Sequence, residues 1–215
     1  MEECKHRFLA KVKINGKLEE CYMPTSSKLG KILNLKNQKV YLVENAGKNL
    51  RTKYKVHSVL IENNLILLDL NAINDLFFSE ILLNNNYYLP ERTINDLKID
   101  FVNEEIKEVI EIKGLISEEE NILFPHSNAN RIIKQLKAFL KFDYKIRFIF
   151  VLMNPKINTI KLDKENSEFI KSFKTALKKK VKLEIYRVYW KDTKEHLEEV
   201  KYNLKNNIIK IENPI

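Results

Sequence analysis

Two acids and a lysine stand close together in the stretch Lys98–Gly114, KIDFVNEEIKEVIEIKG: Asp100 on a first apolar run, then Glu111 and Lys113 on a second. In a strand, residues two apart share a face, so Glu111 and Lys113 point the same way while Ile110 and Ile112 fill the other side. A loop at 104–107 folds the two runs into a hairpin with Asp100 across from Glu111. Like charges placed there repel unless something positive lies between them. A divalent cation would serve, and two carboxylates with retained water are a common way to hold Mg²⁺; the backbone carbonyl of Ile112 could add an oxygen. Lys113, beside such an ion, could orient or deprotonate an attacking water or stabilise charge developing on a phosphate. The chemistry implied is metal-assisted phosphodiester hydrolysis, with Asp100 and Glu111 as metal ligands and Asp100, Glu111 and Lys113 as the catalytic set. An acid-x-Lys on a strand is by itself a weak signal, shared with solvated faces and ion pairs. The aspartate at hairpin spacing, and the order of elements around it, narrow the choice. Glu80 on the preceding helix could contribute a further acid, a solvent-facing role being the alternative that its position favours.

The elements that must hold these residues can be read from periodicity. From Ala72, Ile73, Leu76, Phe77 and Ile81 fall at helical spacing, and Asn84–Asn86 end the run. Tyr87–Leu89 reads as a short strand, followed by the hairpin. In NANRIIKQLKAFLKF, Ile132, Ile133, Leu136, Phe139 and Leu140 make an apolar face while Arg131, Lys134, Lys137 and Lys141 charge the other. Ile146–Met153 is apolar nearly throughout, as a strand covered on both faces would be. The order over 72–153 is therefore helix, strand, strand, strand, helix, strand. A second Lys-faced helix with Phe169, Phe173 and Ala176 inward, a strand at Val181–Trp190, and a tail with a short helix and a last edge strand complete the chain. Gln135 and Arg131 are candidate phosphate contacts.

The first 68 residues have a different character. FLAKVKINGKLEECYM alternates and turns at Asn15-Gly16, the strongest short hairpin signal. Lys39–Glu44 and Tyr54–Leu70, the latter folding back at Asn63-Asn64, add strands. About five short strands without a helix suit a small oligonucleotide-binding (OB) barrel. Charge is uneven too: residues 1–68 carry 13 Lys+Arg against 6 Asp+Glu, and 69–215 carry 25 against 23. A basic module joined to a nearly neutral one points to a polyanion partner, nucleic acid being the commonest. Lys28, Arg51 and Lys53 on the first module, and Arg131 and Lys134 on the second, are the candidate nucleic-acid contacts; Tyr22, Tyr41 and Tyr54 are available for stacking or for packing within the strands. The fold class expected is mixed α/β, an OB-like barrel over 1–68 followed by a nuclease-like α/β domain over 69–215.

Other classes are excluded or weakened. No apolar run approaches membrane-spanning length, and MEECKHRF is too charged for a secretory leader, so a cytoplasmic address and no membrane partner are expected. Cys4 and Cys21 lack metal or disulfide spacing, the four histidines are scattered, and four glycines leave no phosphate-cradling loop.

Asp100 with Glu111-x-Lys113 resembles the PD-(D/E)XK nuclease signature, and the chain resembles the sugar fermentation stimulation protein A (SfsA) family over nearly its whole length. The segments that carry the likeness are RFLAKV (Arg7–Val12), Pro24 in the place of the family's CPNTG, RTKY (Arg51–Tyr54), INDL (Ile73–Leu76), KIDF, IEIKG and LFPHSNANRIIKQL (Leu123–Leu136). The resemblance implies an OB-like barrel, a nuclease-like domain, DNA binding with little sequence preference, and a link to sugar metabolism; duplex or single-stranded DNA and RNA are all compatible partners. The chain departs from the family at Met23-Pro24-Thr25-Ser26-Ser27 and in FPDAxTxR, where His126 and Asn130 replace acids. Two readings result: a DNA-binding protein with a Mg²⁺-dependent nuclease-like site, or a non-catalytic DNA-binding regulator whose acids and lysine survive as a relic ion network.

Overall fold

The structure, a computed structural model, describes residues 2–3, 8–25, 29–45, 51–83, 87–126 and 129–212. In the N-terminal part, β1 (Glu2–Glu3), β2 (Leu9–Ile14), β3 (Lys17–Tyr22), β4 (Lys39–Glu44), β5 (Tyr54–Ile61) and β6 (Asn64–Leu67) form one sheet in the order β1-β2-β3-β5-β4, with β6 also paired to β5. Asn15 and Gly16 take positive φ, 47° and 86°, giving β2 and β3 the two-residue turn that the Asn-Gly signal specifies. The expected strands are present, but among the described residues they make an open sheet and not a closed barrel. Only Tyr22↔Lys55 joins β3 to β5, and no ladder joins β4 to β1. Lys28 lies outside the described residues.

Helix α1 (Leu70–Phe77) begins where Asp69, fully buried, accepts hydrogen bonds from the amides of Asn71 (3.0 Å) and Ala72 (3.2 Å) through one oxygen. Its other oxygen lies 2.6 Å from Lys55 Nζ, so the cap also ties the helix to β5. A π-helical turn, Phe78–Leu82, continues α1. Then come β7 (Tyr88–Ile94), β8 (Leu97–Asn103), β9 (Glu108–Leu115), β10 (Asn121–Phe124), α2 (Ala129–Phe139), β11 (Lys145–Leu152), β12 (Thr159–Leu162), α3 (Ser167–Lys179), β13 (Val181–Lys191), β14 (Lys194–Glu199), β15 (Tyr202–Lys205) and β16 (Ile208–Ile211). The central sheet has the order β14-β13-β11-β9-β8-β7, with β9, β11 and β13 parallel. The expected mixed α/β class and the order of elements over 72–153 hold, with β10 as an extra strand.

The tail departs from expectation: in place of a short helix, 194–211 forms three strands. Asp192-Thr193 (φ 48° and 67°) and Asn206-Asn207 (φ 54° and 63°) are further two-residue turns, and they fix β14 on β13 and β16 on β15. The charged KEHLEE run has fair helix propensity, which the turn and the open edge of β13 override. A separate four-stranded sheet, β10-β12-β16-β15, uses two strands with no clear sequence signal. Among the described residues no helix is long and apolar enough to cross a membrane.

Two buried clusters flank the central sheet. One, with Phe139, Phe148, Phe150, Phe169 and Phe173, lies under α2 and α3. The other runs without a break from Ala10, Met23, Val56 and Leu67 of the N-terminal part through Ile73 and Phe77 to Ile110, Ile112, Val151 and Val188. Gly114 leaves room for α1 against the sheet: a β-carbon there would meet Leu70 Cδ2 at 2.5 Å and Ile73 Cδ1 at 2.7 Å. Gly114→Ala is therefore expected to destabilise the fold by overpacking, by about 1–3 kcal/mol, measurable by urea denaturation.

Candidate functional site

Strand β9 alternates between the two cores. Ile110 and Ile112 face the cluster shared with the N-terminal sheet, while Val109 and Leu115 face the α2/α3 side, where the strand's period also sends Glu111 and Lys113. The turn at 104–107 gives the expected register, with Phe101 opposite Ile110, so continuing it sets Asp100 opposite Glu111. The ladder between β8 and β9 stops there. The Asp100 side chain takes over, its Oδ2 accepting from the Ile112 amide at 2.7 Å and its Oδ1 from Asn74 Nδ2 of α1 at 3.2 Å. A carboxylate thus fills the gap where two strands part, and Asn74 is a neighbour that sequence reading missed. The signal was a polar residue one position from Ile73, on the buried stripe of an amphipathic helix.

Glu111 is 4 % exposed. Its Oε1 is in close contact with Lys113 Nζ, whose ammonium also lies 6.0 Å from the centre of the Phe148 ring. The amide of Gln135, from α2, lies near enough to favour the ionised carboxyl. The contact does not satisfy Glu111 Oε2, which is buried with no hydrogen-bond partner; neither is Gln135 Oε1. Burial pushes the Glu111 carboxyl above the ordinary carboxylate range, and the charge of Asp100 adds to this; Lys113 and Gln135 pull the other way without cancelling it. Another buried ion group shows what full pairing looks like: Arg147 reaches Glu184 through Nε at 3.0 Å and through a terminal nitrogen at 2.7 Å.

Asp100, Glu111 and Lys113 are thus brought together, and a buried, unpartnered carboxylate oxygen fits a hard divalent cation better than a soft one. Asp100 and Glu111 would hold it. Among the described residues no third His, Cys, Asp or Glu side chain joins these two acids in a group that could bind a metal. Glu80 is engaged elsewhere: it accepts from His196 Nδ1 (2.6 Å) and from the Leu197 amide (2.7 Å), which occupies both of its oxygens.

Arg131 and Lys134 are exposed on α2, Arg131 one turn from Gln135, and neither has an ion pair among the described residues. Gln135 is buried, away from the surface where a phosphate contact would sit. Arg51 pairs with Glu20 of β3 at 3.1 Å and Lys53 Nζ lies 5.0 Å from the centre of the Tyr54 ring, with Arg51 and Lys53 in the segment just before β5. No hydrogen bond or ion pair among the described residues joins these two to the acids and lysine of β8 and β9. Tyr41 is 41 % exposed with Lys39 Nζ 5.1 Å from its ring centre, while Tyr22 and Tyr54 are half-buried. A cavity of about 780 Å³ opens past the end of β9 between Leu33, Asn34 and Lys36 on one side and Ser117, Glu118 and His126 on the other, and it does not include the acids or Lys113.

Comparison with known proteins gives a consistent result. The family model described as "Sugar fermentation stimulation protein RE domain" (SfsA) matches residues 68–194. A sugar fermentation stimulation protein homolog of Desulfitobacterium hafniense (strain DSM 10664 / DCB-2) is 28% identical over 167 residues, 71% of each chain. One from Clostridium botulinum (strain Langeland / NCTC 10281 / Type F) is 28% identical over 184 residues, 80% of each. The structure of Pyrococcus furiosus SfsA in complex with Ca²⁺ superposes with a TM-score of 0.72 at 16% identity, over 92% of this chain and 90% of that one.

A raised Glu111 pKa has a stability consequence. The folded state holds this proton more tightly than the unfolded chain, so the Glu111 contribution to stability is fully present at acid pH and is lost as pH rises from the ordinary carboxylate range through the folded-state value. In metal-free buffer Glu111→Gln is expected to remove this loss: denaturation midpoints of variant and parent converge at acid pH and separate toward neutral, with the variant the more stable.

Proposed function

The chain belongs to the sugar fermentation stimulation protein (SfsA) family, and from that premise we propose that it binds DNA with little sequence preference and carries a divalent-cation-dependent nuclease-like site. One observation carries the second half: a glutamate 4 % exposed, with one oxygen against Lys113 and the other unpartnered beside Asp100. Buried carboxylates are costly unless paired, and a half-paired one next to a second acid suits a site built for a cation. The family relative from Pyrococcus furiosus was solved as a Ca²⁺ complex, and Ca²⁺ and Mg²⁺ share a preference for oxygen ligands. A bound divalent cation would supply an activated water and neutralise charge on the phosphate. Asp100 and Glu111 supply its negative charge, the Ile112 amide and Asn74 fix the Asp100 carboxylate, and Lys113 presents a cation to the phosphate or orients the attacking water.

Binding rests on the basic N-terminal part, on the exposed Lys-aromatic pair Lys39/Tyr41 of β4, on Arg51 and Lys53 in the segment leading into β5, and on Arg131 and Lys134 of α2. Lysine and arginine contacts to phosphate position a nucleic acid without reading its bases, consistent with weak sequence preference.

A second reading, a non-catalytic DNA-binding regulator of sugar metabolism, is favoured by the contact of Lys113 with Glu111, which partly compensates the acid without a metal. Two measurements separate them. Affinity for duplex and single-stranded DNA is expected to fall steeply, by about 10³-fold or more between 50 and 200 mM salt if six or more phosphates are contacted; binding that is absent or insensitive to salt rejects both readings. Supercoiled plasmid is expected to be nicked with Mg²⁺ or Mn²⁺, with activity dropping to background in Asp100→Ala and Lys113→Ala while DNA affinity changes little. A parent protein that binds DNA but never cuts it leaves the regulator.

A further inference from the structure

Helix α2 buries Ile132, Ile133, Leu136 and Phe139, and among them stands one primary amide, Gln135, 3 % exposed. An amide on an otherwise apolar face is unfavourable unless both of its ends are used. One end of Gln135 is turned to the Glu111 carboxylate. That end must be the NH₂ group, because the reverse orientation sets a carbonyl oxygen against carboxylate oxygens. The carbonyl Oε1 is then left buried without a partner, and so is Glu111 Oε2. Two orphaned oxygens thus belong to side chains, one on a helix and one on a strand, that meet at Glu111, on which the Asp100 charge also acts, and among the described residues no third His, Cys, Asp or Glu joins the two acids. Buried oxygens that lack a donor of their own are what a hard cation, or the water on one, satisfies.

We propose that Gln135 is a further member of the cation site, its amide carbonyl serving the ion directly or through one of the ion's waters, so that cation binding ties α2 to β9. This inference rests on the cation-dependent reading of the site and adds a neutral donor to its two acids. It also assigns a role to a residue whose charged neighbours on α2, Arg131 and Lys134, face solvent.

Calorimetric titration of the full chain with Ca²⁺, which binds without turnover, tests it together with thermal denaturation in the presence and absence of Ca²⁺. The parent is expected to bind and to gain melting temperature. Gln135→Met, close in volume but without the amide, is expected to weaken Ca²⁺ binding at least tenfold while its metal-free melting temperature stays equal or rises, because an orphaned polar group is gone. Gln135→Glu keeps an oxygen in place and is expected to bind within a few-fold of the parent. Parent-like Ca²⁺ affinity in Gln135→Met, or a loss of metal-free stability with the Ca²⁺-induced rise intact, makes Gln135 purely structural and overturns the proposal. If Gln135→Met fails to fold, a folded Gln135→Glu that has lost Ca²⁺ binding overturns it equally. A parent that takes up no Ca²⁺ and matches Glu111→Gln in every titration overturns the cation reading itself, whereas loss of binding in Glu111→Gln with retention in Gln135→Met sinks only the role of the glutamine.

Discussion

A carboxylate taken out of water must be compensated or it stays protonated, and strand β9 puts Glu111 under that constraint. The strand runs between two cores, and its alternation leaves no solvent face on which an acid could rest. The arrangement around it can be understood as partial compensation: a lysine two residues along on the same face, a buried amide from α2, and a second acid near enough to work against both. The Arg147–Glu184 pair, whose forked contact satisfies both carboxylate oxygens, shows that this chain can bury an ion pair completely. Leaving Glu111 half-satisfied is a different solution in the same sheet.

Asp100 shows how the second acid is held. Strands β8 and β9 pair from Phe101↔Ile110 to Asn103↔Glu108 and then separate, so the Ile112 amide would lose its ladder partner. The Asp100 side chain accepts that hydrogen bond and a second from Asn74. The aspartate is therefore oriented by main chain and helix before any ligand arrives, a form of preorganisation that static charges alone would not give. Gly114, three residues after Glu111, keeps α1 close enough for Asn74 to reach.

Much of this was legible in the residues. The alternation of Ile110 to Lys113, the loop at 104–107 and the register they imply come from strand geometry, and they brought Asp100 and Glu111 to one place. The helices with Phe169/Phe173 and Ile132/Leu136 stripes were read from period alone. Three features escaped. Closure of the N-terminal strands into a barrel depends on pairings between distant segments, about which local alternation says nothing. The tail's strands follow from Asp-Thr and Asn-Asn turns that are weaker signals than Asn-Gly, set against a charged run that favours helix. A helix wheel of lysines and leucines leaves Gln135 ambiguous between a surface phosphate contact and the core; its burial in the fold puts it inside.

The buried cluster that passes from Met23 and Leu67 to Phe77 and Val188 has a mechanical meaning. Trp190 Nε1 donates to the Leu65 carbonyl at 2.9 Å, the Leu67 amide donates to the Met153 carbonyl at 3.1 Å, and His57 and Glu195 lie 3.2 Å apart, so polar clasps line the same seam. Large apolar seams of this kind resist the rocking that usually separates neighbouring modules. The span between the lysine-rich sheet and the acid-bearing strand is therefore set in advance by the core, like the gap of a locked caliper.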